Sequence, residues 1–135
     1  MRYFSIPNNG DIVWCKFPET LGKPGPKPRP ALIIAIGANA QNKPVVTVVY
    51  GTTKKLERLY LSEFKIERAD GASFKLSGLA ADTKFDFNHQ VKLPYCSTWF
   101  DVAPGQAVTN QPKLGVLAPD LVLMAKQAFD KSSKR

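Results

Sequence analysis

A chain of 135 residues, 44% hydrophobic and 22% charged, has the size and make-up of one soluble domain with a core that needs no disulfides. Its formal charge of +8 and pI of about 9.6 favour an acidic partner, nucleic acid or an acidic protein segment. Cys15 and Cys96 are too few for a disulfide framework and lack metal-site spacing; no stretch approaches the roughly 18 apolar residues of a membrane span, and the first residues carry no signal-peptide core. The expectation is a single cytoplasmic domain over residues 1–135, with no membrane partner.

In chain order, Asn8-Asn9-Gly10 signals a turn, and residues 11–17 read as a strand whose two faces are both apolar, as a centrally placed strand requires. Residues 18–28 hold Pro18, Pro24, Pro26 and Pro28 with Gly22 and Gly25, which excludes helix and paired strand and leaves an exposed basic loop. Arg29-Pro30 then leads into a buried strand over 31–36, a turn over 37–43 and a valine-rich strand over 44–50. Short strands are expected at 59–61 and 64–66, with a tight turn at Asp70-Gly71. Residues 85–87 and 91–95 alternate and rejoin the sheet, reaching an edge near Pro94.

Residues 97–113, with the pair Trp99-Phe100, carry no assignable pattern. A last strand at 114–117 precedes a helix opened by Pro119-Asp120, whose Leu121, Met124, Ala125, Ala128 and Phe129 share one core-facing stripe. Residues 131–135 form a solvated basic tail. Closely spaced short strands with one terminal helix predict a mainly β, α+β domain: a small, strongly curved sheet or barrel.

The chemistry narrows by exclusion. One histidine and scattered acids supply neither two-His nor Cys-x-x-Cys metal spacing, no serine or cysteine sits on a nucleophile elbow, and the 22–27 loop is not a P-loop. No metal or cofactor is expected. A cationic site at strand ends remains. A guanidinium at Arg29 matches phosphate oxygens with a planar fork, and Thr52 and Thr53 can donate hydroxyl hydrogen bonds to the same oxygens. An imidazole exchanges protons near neutrality, and His89 is the only one in the chain.

Gly10-Asp11-Ile12-Val13-Trp14, followed by Arg29-Pro30-Ala31-Leu32-Ile33-Ile34 and by the valine-rich strand ending at Gly51-Thr52, resembles the MazF/PemK toxins of bacterial type II toxin-antitoxin modules. Leu114-Gly115-Val116-Leu117-Ala118-Pro119-Asp120-Leu121 is similar to that family's final strand-to-helix junction. The resemblance covers residues 10–53 well and fades over 56–78 and 97–113. It implies an SH3-like barrel acting as a homodimer, and a metal-independent endoribonuclease that cuts single-stranded RNA to 2′,3′-cyclic phosphate and 5′-hydroxyl ends.

The resemblance places the catalytic arginine at Arg29 and the phosphate-binding threonine at Thr52. Lys23, Lys27, Thr53 and Lys54 would hold the RNA backbone. In the segment Asn88-His89-Gln90-Val91, His89 stands where the family often carries an acid, so the base is expected to be His89, Asp86 or Asp82. Lys23 and Lys27 occupy a loop region in which relatives carry other polar residues, which predicts an altered sequence preference. An acidic, partly disordered antitoxin is the implied protein partner, with the complex binding DNA. The competing reading is a noncatalytic barrel that binds an acidic protein, nucleic acid or a topoisomerase.

Overall fold

The computed structural model describes residues 2–20, 22–103 and 110–132. β1 (Asp11–Cys15) separates two cores: Ile12 points into one cluster, and Val13 and Cys15 into another on the opposite face. That division follows from the period of two along a strand whose every side chain is apolar from Ile12 onward. Around it lie β2 (Arg29–Ala38), β3 (Pro44–Thr52), β4 (Glu63–Ile66), β5 (Thr83–Pro94) and β6 (Lys113–Val116). They form one six-stranded antiparallel sheet in the order β4-β5-β3-β2-β1-β6.

Register shifts at Ile12/Val13, Ile33/Ala35 and Val49/Tyr50 bend the sheet into a curled half-barrel, the curvature expected from the sequence. The first core, with Phe64, Phe85 and Phe87, is closed by α2 (Val122–Asp130) and the 3-10 turn Pro119–Leu121 before it. Leu121, Ala125 and Ala128 are buried there and Phe129 sets its ring edge on Phe87, whereas Met124 of the expected stripe is 38% exposed. The second core holds Val46, Val48, Tyr95 and Phe100, so the unassigned aromatic pair splits, Phe100 buried and Trp99 half-buried beside it.

Three expectations are corrected. β2 runs on through Ala38, and the turn is shorter, closed where the Asn39 carboxamide accepts the amides of Gln41 and Lys43. Residues 59–61 are not a strand: the Tyr60 amide donates to the Glu63 carboxylate and the Glu63 amide to the Tyr60 carbonyl, which turns the chain before it can pair. After Asp70-Gly71 comes a short helix, α1 (Ala72–Ser77). Its buried side chains are Ser73 and Ser77 rather than apolar residues, so no hydrophobic period announced it. Residues 104–109 and 133–135, the latter most of the expected basic tail, lie outside the described residues.

α1 is fixed to β6 by glycine on both sides. Gly78 takes a left-handed conformation with its Cα against the Leu114 carbonyl, and Gly115 abuts the Leu76 carbonyl and Ser77. A Cβ at either position collides with backbone. Gly115→Ala is expected to destabilise the fold by about 2 kcal/mol, read as a lower urea midpoint with unchanged slope.

Candidate active site at the strand ends

The β2–β3 ladder pairs Ala31 with Tyr50, and that register carried two residues further brings Arg29 level with Thr52 on the same face of the sheet. Both line a cleft of about 410 Å³. Its walls are Trp14 of β1, Thr53, the stretch Gly78, Leu79, Ala80 and Ala81 held by the α1–β6 contact, and Leu114. Among the described residues lining it there is one cation and no carboxylate, imidazole or thiol. An arginine with hydroxyls in a partly enclosed hollow suits an anion.

Arg29 keeps its side chain 32% exposed and meets Glu19 at 3.8 Å, while Glu19 itself is 56% exposed. A contact that long and that wet is weak, so the guanidinium remains available to a phosphate. The Thr52 hydroxyl oxygen accepts the Lys54 amide at 3.1 Å. That turn uses the oxygen as an acceptor and leaves the hydroxyl proton available to another partner. Cys15 pairs with Arg29 across β1–β2, but burial pushes its thiol up, so no thiolate nucleophile is available near neutral pH.

His89 sits elsewhere. β5 carries Phe87, Asn88 and His89 as a bulge between the Asp86–Tyr50 and Gln90–Val49 pairs, and the bulge turns His89 toward a second cleft lined by Phe17, Pro18, Glu19, Thr20 and Trp99. Its Nδ1 lies 3.6 Å from the Asp86 carboxylate, and its ring meets the edge of Tyr50 at 5.9 Å. Asp86 also accepts the Ser62 hydroxyl at 3.0 Å and the Asn88 amide at 2.9 Å, which fixes the carboxylate.

Tyr50 lines neither cleft but neighbours residues of both. It lies two residues before Thr52 on the same face, packs on Phe17 as well as His89, and stands opposite Asp86. Asp82 does not line either cleft: its carboxylate accepts the Arg68 amide at 2.7 Å. Lys23, Lys27 and Lys54 are exposed and do not line the Arg29 cleft, while Thr53 does line it.

Residues 8–89 match the PemK-like, MazF-like toxins of type II toxin-antitoxin systems. The chain belongs to that family. Its fold is similar to that of an endoribonuclease from a mycobacterial species solved in complex with its cognate antitoxin, with a TM-score of 0.58 and 17% identity over 93% of each chain. No curated protein matches it by sequence.

In this PemK/MazF-like toxin, sequence reasoning named Arg29 and Thr52, which line one cleft, and missed what frames them. Glu19 is the sole acid in the lysine- and proline-rich first loop, a signal that was there to be used. Trp14 was read only as a core strand residue, and the Gly78–Ala81 wall depends on a helix that had no apolar period. Among the described residues no cluster of His, Cys, Asp and Glu is placed to hold a metal ion, and no helix is long and apolar enough to cross a membrane.

Proposed function

We propose that this toxin is a metal-independent endoribonuclease acting on single-stranded RNA. The observation that carries this reading is the alignment of Arg29 and Thr52 along one face, in a cleft whose lining holds a cation and hydroxyls but no acid. A ribose 2′-oxygen attacks the adjacent phosphorus, the bond from phosphorus to the 5′-oxygen breaks, and the products are a 2′,3′-cyclic phosphate and a 5′-hydroxyl. Arg29 holds two phosphate oxygens and stabilises the extra charge of the pentacoordinate transition state; Thr52 donates to the same phosphate. The 2′-hydroxyl proton passes through solvent water to His89, which lines the neighbouring cleft 3.6 Å from the Asp86 carboxylate, and the leaving oxygen is protonated by solvent.

Lys23, Lys27, Thr53 and Lys54 supply attraction for the backbone on either side, consistent with the formal charge of +8. An acidic antitoxin segment lying over the same cations is the proposed inhibitor, and a homodimer in the cytoplasm the proposed working form. A synthetic RNA that the toxin cuts is expected to resist cleavage once fully 2′-O-methylated, while still binding. Cleavage of the methylated strand would exclude attack by the 2′-oxygen.

A further inference from the structure

Thr52 begins a cross-strand row that continues through Lys84 of β5 to Lys65 of β4. Both lysines reach up to the loop that leaves the site, residues 54–62. Lys84 Nζ donates to the Arg58 carbonyl at 2.9 Å, and Lys65 Nζ donates to the Leu56 carbonyl at 3.3 Å. The loop is therefore laid over the row that starts at the phosphate-binding threonine. Lys84 is at the same time paired with Glu63 at 3.2 Å, with side chains only 6% and 5% exposed, and Glu63 accepts the Tyr60 amide at 2.8 Å.

Burying two charges is costly, and here both are spent on fixing the backbone at Arg58 and Tyr60. What this clamp displays is unusual for a fixed loop: Leu59, Tyr60 and Leu61 are 47%, 57% and 76% exposed. The Arg58 guanidinium donates to the Tyr60 hydroxyl at 3.3 Å, and Lys54 and Lys55 lie on the same loop. An exposed aromatic ring carried on a fixed backbone in cationic surroundings, next to a proposed phosphate site, is the chemistry that takes an unpaired base by stacking.

We propose that Tyr60, backed by Arg58, is a stacking platform for one unpaired base of the RNA whose phosphate occupies the Arg29–Thr52 cleft. The inference rests on the ribonuclease reading above. Because the backbone that carries the ring is held in place before RNA arrives, less ordering entropy is lost on binding. Aromatic stacking tolerates every base, so the platform adds affinity and sets the path of the strand more than it selects a sequence.

The test is fluorescence anisotropy with a labelled, uncleavable 2′-O-methyl oligonucleotide, alongside cleavage of the ribose form. Tyr60→Ala is expected to raise Kd about tenfold, and Tyr60→Phe to stay within about twofold of the parent chain. The Tyr60 backbone bonds to Glu63 survive both substitutions, so the urea midpoint should not move. An unchanged Kd for Tyr60→Ala, in a protein that still binds and cleaves RNA, overturns the platform alone and leaves the exposed apolar trio to a protein partner. Failure of the parent chain to bind or cut any RNA overturns the platform together with the ribonuclease reading.

Discussion

Arg29→Ala is expected to lower the rate of RNA cleavage by about a thousandfold at saturating RNA while leaving the fold intact. The loss is expected in turnover because the guanidinium, the one cation among the described residues lining the cleft, is proposed to meet the charge that appears only as phosphorus becomes pentacoordinate. Stability is expected to change by less than about 1 kcal/mol, since Arg29 contributes one long, wet ion pair with Glu19 at 3.8 Å. Binding is expected to fall far less than turnover, because Lys23, Lys27, Lys54 and Tyr60 are proposed to hold the strand. Arg29→Lys keeps the charge but loses the two-pronged fork, and should fall between. A noncatalytic binding module predicts a different pattern, in which Arg29→Ala weakens RNA binding in step with every other cation removed.

The largest effect on stability is expected at Lys84. Lys84→Met leaves Glu63 buried, with a side chain 5% exposed and its cationic partner gone, at a cost of about 3–5 kcal/mol. Denaturant unfolding of Lys84→Met, Glu63→Leu and the double variant reads this as a cycle. The double variant should recover much of the loss, because two apolar side chains replace a buried ion pair at little net cost. It should not restore RNA affinity, since the Arg58 carbonyl and the Tyr60 amide have then lost the groups that hold them. A single-variant cost below about 1 kcal/mol would show that the pair is not what secures the 54–62 loop.

The readable parts of this chain are those where burial writes itself into a period. β1, β2 and β3 are apolar at nearly every position and are bounded by proline and glycine, so strand identity, central placement and the exposed first loop all follow from residue order. Arg29 and Thr52 could be placed at strand ends for the same reason, and the strong bending of the sheet follows from short strands joined closely. What could not be read depends on polar pairing between distant segments. α1 buries serines, one of which donates to Asp120 at 2.6 Å from the far end of the chain, and such a helix leaves no hydrophobic stripe.

The alternation at Leu59-Tyr60-Leu61 was misleading because its neighbours hold the backbone with side chains, where a strand would have used a ladder. His89 belongs to the same class: a bulge three residues beyond Asp86 turns it into the neighbouring cleft, and no local pattern in Asp86-Phe87-Asn88-His89 records that offset. Its separation from the Thr52 wall makes the base the part of the mechanism that most needs a test, and Glu19, which pairs with Arg29 at 3.8 Å and lines the His89 cleft, links the two clefts.

The most direct measurement is the chemistry of the ends left after purified toxin cuts a long single-stranded RNA in excess EDTA. A 2′,3′-cyclic phosphate on one fragment and a free 5′-hydroxyl on the next is the predicted result. Cleavage that stops on chelation, or that leaves a 5′-phosphate and a free 3′-hydroxyl, would contradict a site in which Arg29 and Thr52 guide attack by the RNA's own 2′-oxygen.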